Sequence, residues 1–504
     1  MAGFWKIPTR PRLTSGLPEF HPQTIIRDWG NGDAFRIADA VTGVCCFGAT
    51  GSGKTSGPAK HLAYGYLSAG FGGLVLAAKP EERIQWEKWA ADCGRTDDLV
   101  IVNAKGDWRF NFLRWEAERS GAGGGFTINI VNLLDVIGST ITGSAGPDAG
   151  GGAASEKFWD DALHHLNMNL VDLPVLAGVE VSLPLLRSIV NSAPLSAAQA
   201  KDPAWEADSD CATILRGADE TTAKSEDGEA RADFEECKSY WTKEFPHLSD
   251  RTRSIIVLTL SMLVRPLITR PLRKLFSSDT NLTPEDTFDG RILIIDLPVQ
   301  EFRLAGRIAN LVWKYCFQVA VMRRMQPGNG TFLRPVFLWQ DEAQNFVTSF
   351  DAEYQAVARS AAGATVCLTQ NRESYRRVLN NDDAVDALLG NLQAKFFCQN
   401  TGATNKWASE QIIGERWVKI TGTNAGQSHT EATLNNPEMQ TSHNGGISRN
   451  DQRRFFVEPA SFATLRRGGA LHDFQVEAIV YNGGHLFSNG RELLPYRKLT
   501  FNQK

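Results

Sequence analysis

Short apolar runs of strand length recur along this chain. Val41–Phe47, Gly73–Ala78, Leu99–Val102, Arg291–Ile295, Val336–Trp339, Ala364–Thr369 and Lys395–Cys398 each read as a buried strand. A shorter run, Phe35–Ile37, reads the same way. Amphipathic segments alternate with these runs and predict helices over Ser56–Ala69, Pro80–Cys93 and Arg303–Met325. Apolar strands alternating with helices predict an α/β fold built on a parallel sheet.

The pattern changes between about residues 115 and 275. Strand-like runs become scarce, and Ser155–Asp172 and Ser254–Leu263 read as helices. A Gly/Ala/Ser-rich stretch, Gly138–Ala154, and an acidic polar stretch, Ala218–Glu236, predict mobile surface loops. The α/β core is therefore expected in two parts, 35–114 and 276–504, split by a mostly helical insertion over 115–275. Residues 1–34 are expected to be an irregular, Pro-rich N-terminal segment. Residues 421–452 are rich in Thr, Asn, Gly and Ser and predict a long flexible loop, facing a channel or lying on the surface.

One of the turns carries chemistry. Residues 48–55 read Gly-Ala-Thr-Gly-Ser-Gly-Lys-Thr, a GxxxxGK[ST] phosphate loop between a predicted strand and a predicted helix. Glycine at 48, 51 and 53 lets the backbone turn tightly and aim successive N–H groups at phosphate oxygens. The helix that follows brings its positive end to the same point. Lys54 is the point charge for the β- and γ-phosphates, and Thr55 offers a hydroxyl to Mg²⁺. Gly48, Ala49, Thr50, Gly51, Ser52, Gly53, Lys54, Thr55 and Ser56 are the candidate nucleotide-binding residues, with ATP and Mg²⁺ as cofactors.

A nucleotide hydrolase also needs a carboxylate near Mg²⁺ and a base for the attacking water. Asp296 ends one apolar strand but has no second carboxylate beside it. Asp341-Glu342 follows Val336–Trp339 at the strand end where α/β sheets place their ligands. Asp341 is therefore assigned to Mg²⁺, through water, and Glu342 to orienting the water. Gln370 ends the next strand, where it could sense the γ-phosphate. Arg359, between the two strands, could reach a neighbouring subunit's nucleotide. Position alone favours a plain surface role for both.

Composition constrains the rest. The 504 residues suffice for two or three domains, and 42% hydrophobic with 22% charged residues exclude disordered and fibrous classes. A formal net charge of −4 means that any contact with DNA is local rather than spread over the surface. The eight cysteines form no CxxC and no Cys/His cluster, so they read as small buried hydrophobes of a reducing compartment. The longest strongly apolar run, Ile255–Val264, is far short of the roughly 20 residues that span a bilayer. Neither it nor the N-terminus predicts a membrane span or a signal peptide, and the chain is expected to be cytoplasmic.

With these residues in order, the chain resembles the type IV secretion coupling proteins, the TraG/TraD-like group within the FtsK/HerA superfamily of P-loop motors. Gly48–Thr55 is similar to that family's first nucleotide motif. Ala78-Lys79-Pro80-Glu81 stands where the family has an Asp-Pro-Lys-Gly-like turn, and Asn111-Phe112-Leu113 resembles its Asn-Pro-Leu element. Arg253-Ser254-Ile255 resembles its Arg-x-Ser stretch and Gly290–Pro298 its Gly-x-Ile-Leu strand. Asp341-Glu342 matches the second motif. Arg359 and Gln370 match the arginine finger and the third-motif glutamine, and Gly390-Asn391-Leu392 with Asn400 and Thr401 resembles the stretch that follows.

The resemblance implies a RecA-like P-loop NTPase core with an all-α insertion and a DNA-translocating ATPase. It further implies a homo-oligomer, a hexamer, with nucleotide at the subunit interfaces and DNA in the central channel. Single-stranded DNA is the expected cargo, with a relaxase or effector protein as partner and a type IV secretion channel or membrane-anchored protein as destination. Such a chain would sit peripherally at the inner membrane through its partners. A FtsK/HerA-like pump on double-stranded DNA, and an ATPase for protein effector export without DNA, are the alternatives. The altered turn at Lys79-Pro80 and the absence of a membrane anchor bear on docking to a channel, and on this reading not on the ATPase site.

Overall fold

The computed structural model describes residues 17–121, 124–142, 153–226, 228–276, 279–429 and 441–504. Its centre is a nine-stranded sheet, built from β3 (Val44–Phe47), β4 (Gly72–Leu76), β5 (Leu99–Val102), β6 (Ile292–Ile295), β7 (Val336–Gln340), β8 (Gly363–Thr369), β9 (Ala394–Phe397), β12 (Gln475–Asn482) and β15 (Tyr496–Asn502). The spatial order is β15-β12-β9-β3-β8-β7-β4-β6-β5. From β9 to β5 every pairing is parallel, and β12 and β15 add an antiparallel edge. A short hairpin precedes the sheet, β1 (Ile25–Gly30) with β2 (Asp33–Arg36). A two-stranded ribbon, β10 (Glu415–His429) with β11 (Thr441–Phe455), stands outside it. The remaining strands, β13 (Phe487–Ser488) and β14 (Leu493–Leu494), are two residues each.

Most of the parallel strands are buried on both faces because both faces are covered. Alternation divides each strand between two cores. Val75, Ile292, Ile294, Phe337 and Trp339 face one side, where the helix Glu81–Asp92 supplies Trp86 and Trp89. Trp86 stacks on Phe337 at 5.2 Å and meets Trp339 edge-on at 5.1 Å. Leu74, Leu76, Leu293, Ile295 and Leu338 face the other side. There they share one continuous core with the helix Val299–Met322 and with helices lying between β5 and β6, through Ile130, Leu166, Ile256 and Trp313. Fully burying a side chain of this size stabilises by about 1.5–3 kcal/mol, so the helical region is bound to the sheet by its own apolar stripes.

The architecture is α/β with a parallel-dominated sheet and many helices, the RecA-like P-loop NTPase fold. Several local expectations differ. Ala218–Glu236 is not a loop: it falls on two helices, Asp210–Lys224 and Gly228–Ser239, either side of residue 227. Cys211, Leu215, Ala218 and Thr222 recur at helical spacing and are buried, so the acidic residues are the solvated face of a helix. The described part of 421–452 is β-ribbon rather than flexible loop, with inter-strand hydrogen bonds that need no apolar side chains. Residues 25–30 of the expected irregular N-terminal segment form β1, and Ile37 opens a helical turn instead of ending a strand. The long helix expected from Arg303 is present and ends at Met322, joined across a kink at Arg303, whose φ is 52° and ψ −127°, to a short helical turn that begins at Val299. Of the loop expected over Gly138–Ala154, residues 138–142 end the helix Thr127–Thr142 and 153–154 open the helix Ala153–Leu176, while residues 1–16, 143–152 and 430–440 lie outside the described residues.

All eight cysteines are free thiols, and all but Cys93 are buried. Among the described residues no helix is long and apolar enough to cross a membrane.

Candidate active site

The site forms where β3, β8 and β7 lie side by side and present their C-terminal ends. β3 ends at Phe47, and the phosphate loop begins with two backbone ties. The Gly48 amide donates to the Thr369 carbonyl at 3.2 Å and the Ala49 amide to the Gln399 carbonyl at 3.0 Å. Gly51 and Gly53 take φ of 73° and 81°, in the left-handed region where a side chain is strained. At Gly53 space also forbids one: a Cβ would lie 2.5 Å from Val476 Cγ2 and 2.8 Å from the Arg467 carbonyl oxygen. The Ser52 hydroxyl is buried without a hydrogen-bond partner. The chain leaves the loop through a π turn, Thr55–Ala59, before the helix Lys60–Ser68. Ser56 is not aimed at the loop's ligand space, since its hydroxyl accepts from Gln503 Nε2 at 2.6 Å.

β7 delivers the acidic pair. Thr55 Oγ1 donates to Asp341 Oδ2 at 2.9 Å, linking phosphate loop and acidic strand across 286 residues of sequence. Burial pushes the Asp341 carboxyl up from its ordinary range, against the charges of Lys54 and Lys79. Glu342 adopts φ 51° and ψ 51°, a left-handed conformation rare outside glycine, asparagine and aspartate. Three backbone contacts hold it there. Its amide donates to Asp341 Oδ1 at 2.9 Å, and its carbonyl accepts from the Asn345 amide at 2.9 Å and from Asn345 Nδ2 at 3.0 Å. Strain of this kind persists where surroundings over-determine it, and it clusters at functional sites.

The Glu342 carboxylate is the electrostatic centre. Oε1 lies 3.5 Å from Lys54 Nζ and 2.8 Å from Lys79 Nζ, and Oε2 accepts from Gln344 Nε2 at 2.9 Å. Burial alone would raise its pKa, but the Lys54 charge and the hydrogen bonds from Lys79 and Gln344 outweigh it and hold the group at about 2. Gln344 in turn accepts from Thr369 Oγ1 at 3.0 Å, so the end of β8 is hydrogen-bonded to the carboxylate on β7. The segment leaving Glu342 is anchored from behind. Lys314 Nζ donates to the Phe346 carbonyl at 2.7 Å and pairs with Asp351 at 2.5 Å, buried in the helix Val299–Met322.

The structure thus brings Lys54, Thr55, Asp341 and Glu342 together. Gln370 follows β8 beside them, its carbonyl accepting from Asn400 Nδ2 at 2.6 Å. Arg359 is not part of this cluster: it precedes β8, at the N-terminal end of the strands rather than the C-terminal end where the site lies, and is exposed. Asp296, the alternative strand-end acid, lies two strands away from β7 and pairs with Arg83 at 3.0 Å.

Two residues of the cluster escaped the sequence reading. Lys79 follows β4, the neighbour of β7, and its turn was expected to leave the ATPase site untouched. Instead its ammonium makes the shortest contact to Glu342. Its strand-end position was the available signal. Glu82, buried one turn on, accepts from the Ala78 amide at 3.0 Å and the Lys79 amide at 3.3 Å and so shapes that turn. Burial, then the nearby Asp341, pushes its carboxyl well up.

No family model matches the sequence, and no curated protein matches it. Solved structures do. The conjugative coupling protein TrwBdeltaN70, unbound, aligns with a TM-score of 0.57 at 15% identity, over 98% of this chain and 91% of that one. TrwB bound to the ATP analogue ADPNP aligns at 0.54 and 15% identity, and TrwB with ADP and Mg²⁺ at 0.54 and 15%. Both cover 98% of this chain. Likeness at this identity establishes architecture, and by it this chain has the RecA-like P-loop fold of the coupling protein TrwB, over nearly its whole length.

Proposed function

We propose that this chain is a Mg²⁺-dependent ATPase that drives DNA translocation in the manner of conjugative type IV coupling proteins. The convergence of Lys54, Thr55, Asp341 and Glu342 at the ends of β3 and β7 carries this reading. The structures of TrwB with ADPNP and with ADP and Mg²⁺ support the same cofactors here. The residues fit them: the Gly51 and Gly53 backbone, the unpartnered Ser52 hydroxyl and Lys54 suit phosphate, and Thr55 with Asp341 suits the cation. Bound nucleotide supplies the phosphoryl group to be transferred.

The chain's own groups do the rest. Glu342 is ionised at neutral pH and can accept a proton from water, but a carboxylate near pKa 2 is a weak base. Its strength therefore depends on how many cations hold it. Lys54 would be drawn to bound phosphate, which would leave Lys79 and Gln344 on the carboxylate. Gln344 links the carboxylate to Thr369, next to Gln370, so a change sensed at the end of β8 has a hydrogen-bonded route to the base. Arg359, exposed at the other end of the strands, serves this scheme only from a neighbouring subunit, as in a ring, a hexamer being the expected form.

The proposed cargo is single-stranded DNA with its relaxase, moved toward a secretion channel. Steady-state ATP hydrolysis without DNA, with single-stranded DNA and with duplex tests this. Strong stimulation by the single strand is the expected result. Preference for duplex would favour a double-strand pump, and indifference to both would favour export of protein effectors.

A further inference from the structure

Among the described residues, no side chain of the β10–β11 ribbon belongs to an apolar core. Each strand has fifteen residues, paired without a break from Glu415↔Phe455 to His429↔Thr441. At ~3.3 Å per residue it is roughly 50 Å long. It packs on the rest of the protein at its base, where β11 meets the turn Ala408–Ile413 and Arg416 reaches Glu492 at 3.6 Å. A lone two-stranded sheet is marginal in water, so a ribbon of this length carries surface rather than core.

That surface has a definite chemistry. Residues directly opposite share a face. One face presents Trp417 with Arg453, Lys419 with Asp451, and Thr421 with Arg449; Ile447, opposite Thr423, continues it. Trp417 is 66% exposed and Ile447 71%. The Arg453 guanidinium lies 5.1 Å from the Trp417 ring centroid. Arg416 and Arg454 occupy the other face. The described ribbon thus carries Arg416, Lys419, Arg449, Arg453 and Arg454 against Glu415 and Asp451, in a chain whose formal charge is −4. Glu431 and Glu438 belong to the stretch 430–440, outside the described residues. Local positive charge beside an exposed indole is what a chain of this overall charge needs if it holds a polyanion at all.

We propose that this ribbon is a contact surface for single-stranded DNA, with Trp417 as a stacking platform for an unpaired base and Lys419, Arg449 and Arg453 receiving phosphates. Stacking on an aromatic face is available to unpaired bases and closed to bases inside a duplex, which selects the single strand. The proposal deepens the DNA-motor reading and rests on it.

Fluorescence anisotropy with a fluorescein-labelled oligothymidylate tests it, on the full chain. Trp417→Ala is expected to weaken binding about tenfold while leaving affinity for a duplex of the same length unchanged. Arg449→Ser with Arg453→Ser is expected to weaken both DNAs and to reduce the slope of log affinity against log salt by about 1 to 2. ATP turnover without DNA should stay at the wild-type rate in every variant, which reports that they fold. Wild-type affinity in both variants would overturn the assignment and leave the motor reading standing. So would a change in oligomeric state, by light scattering, at unchanged DNA affinity, which would make the ribbon a contact between copies of the chain. Failure of the wild-type protein to bind any DNA would instead overturn the motor reading, and this proposal with it.

Discussion

Lys79 Nζ lies 2.8 Å from Glu342 Oε1, nearer than the phosphate-loop Lys54 at 3.5 Å. The two lysines reach the carboxylate from different strands, β4 and β3, and Lys79 is the more exposed of the pair. On the proposed reading Lys54 would turn to nucleotide phosphate, and Lys79 would then set the strength of Glu342 as a base.

Removing that cation should move the acidic limb of turnover. Lys79→Ala takes away a hydrogen bond and a charge that hold Glu342 down, so its pKa rises from about 2 toward the ordinary carboxylate range. The acidic limb of kcat against pH should shift upward by about one pH unit. The sign for stability follows the same way. A depressed carboxylate stabilises the fold above its ordinary pKa of 4.5, and the contribution fades as pH falls toward 2. That fade should be smaller in Lys79→Ala. An acidic limb identical to wild type would show that Lys79 does not act on Glu342.

Gly53→Ala tests the loop's geometry apart from its charge. The new Cβ would meet Val476 and the Arg467 carbonyl at a φ of 81°. Strain and overpacking together should destabilise by about 2–4 kcal/mol, read as a lowered Tm. Gly51→Ala, with open space at φ 73°, should cost only the backbone strain, about 1–2 kcal/mol. Equal Tm changes in the two variants would contradict this packing.

Much of this site was readable because its parts are local patterns. Gly48–Thr55 needs one contiguous string, and Asp341-Glu342 needs one apolar run with acids at its end. Lys79 was missed because its meaning is not local: only the β4–β7 pairing puts it beside Glu342. Composition misled twice. Acidic residues in 218–236 look like a loop unless the buried Leu215, Ala218 and Thr222 are read at helical spacing. Thr, Asn and Gly in 421–452 look like a loop because a ribbon that joins no apolar core needs no apolar alternation to betray it. Fold class survived these errors because it rests on the parallel strands of the sheet, which are predominantly apolar.

The support behind Glu342 should show in stability. Asp351 is the carboxylate partner of buried Lys314 and also accepts from Gln318 Nε2 at 2.7 Å and the Thr348 amide at 2.8 Å. Asp351→Ala leaves a buried ammonium uncompensated, at a cost of about 3–5 kcal/mol. Lys314→Met with Asp351→Leu should recover most of it, by denaturant titration. A single variant as stable as wild type would contradict the buried pair.

Arg359 is predicted to act between subunits. Arg359→Ala should lower turnover by about 10³-fold, and Lys54→Ala should abolish it. Mixing the two should restore measurable activity, because a subunit with an intact phosphate loop then meets a neighbour with an intact arginine. An inactive mixture, shown by light scattering to co-assemble, would remove Arg359 from the mechanism.

Glu342→Gln addresses the central claim most directly. The variant keeps the shape and the hydrogen-bonding reach of the side chain and removes its charge. ATP affinity and single-turnover hydrolysis should be measured on the same preparation, with Mg²⁺. Tight binding with hydrolysis slowed by about 10²–10⁴-fold is the predicted result. Hydrolysis at the wild-type rate would mean that Glu342 does not orient the attacking water and that the base lies elsewhere.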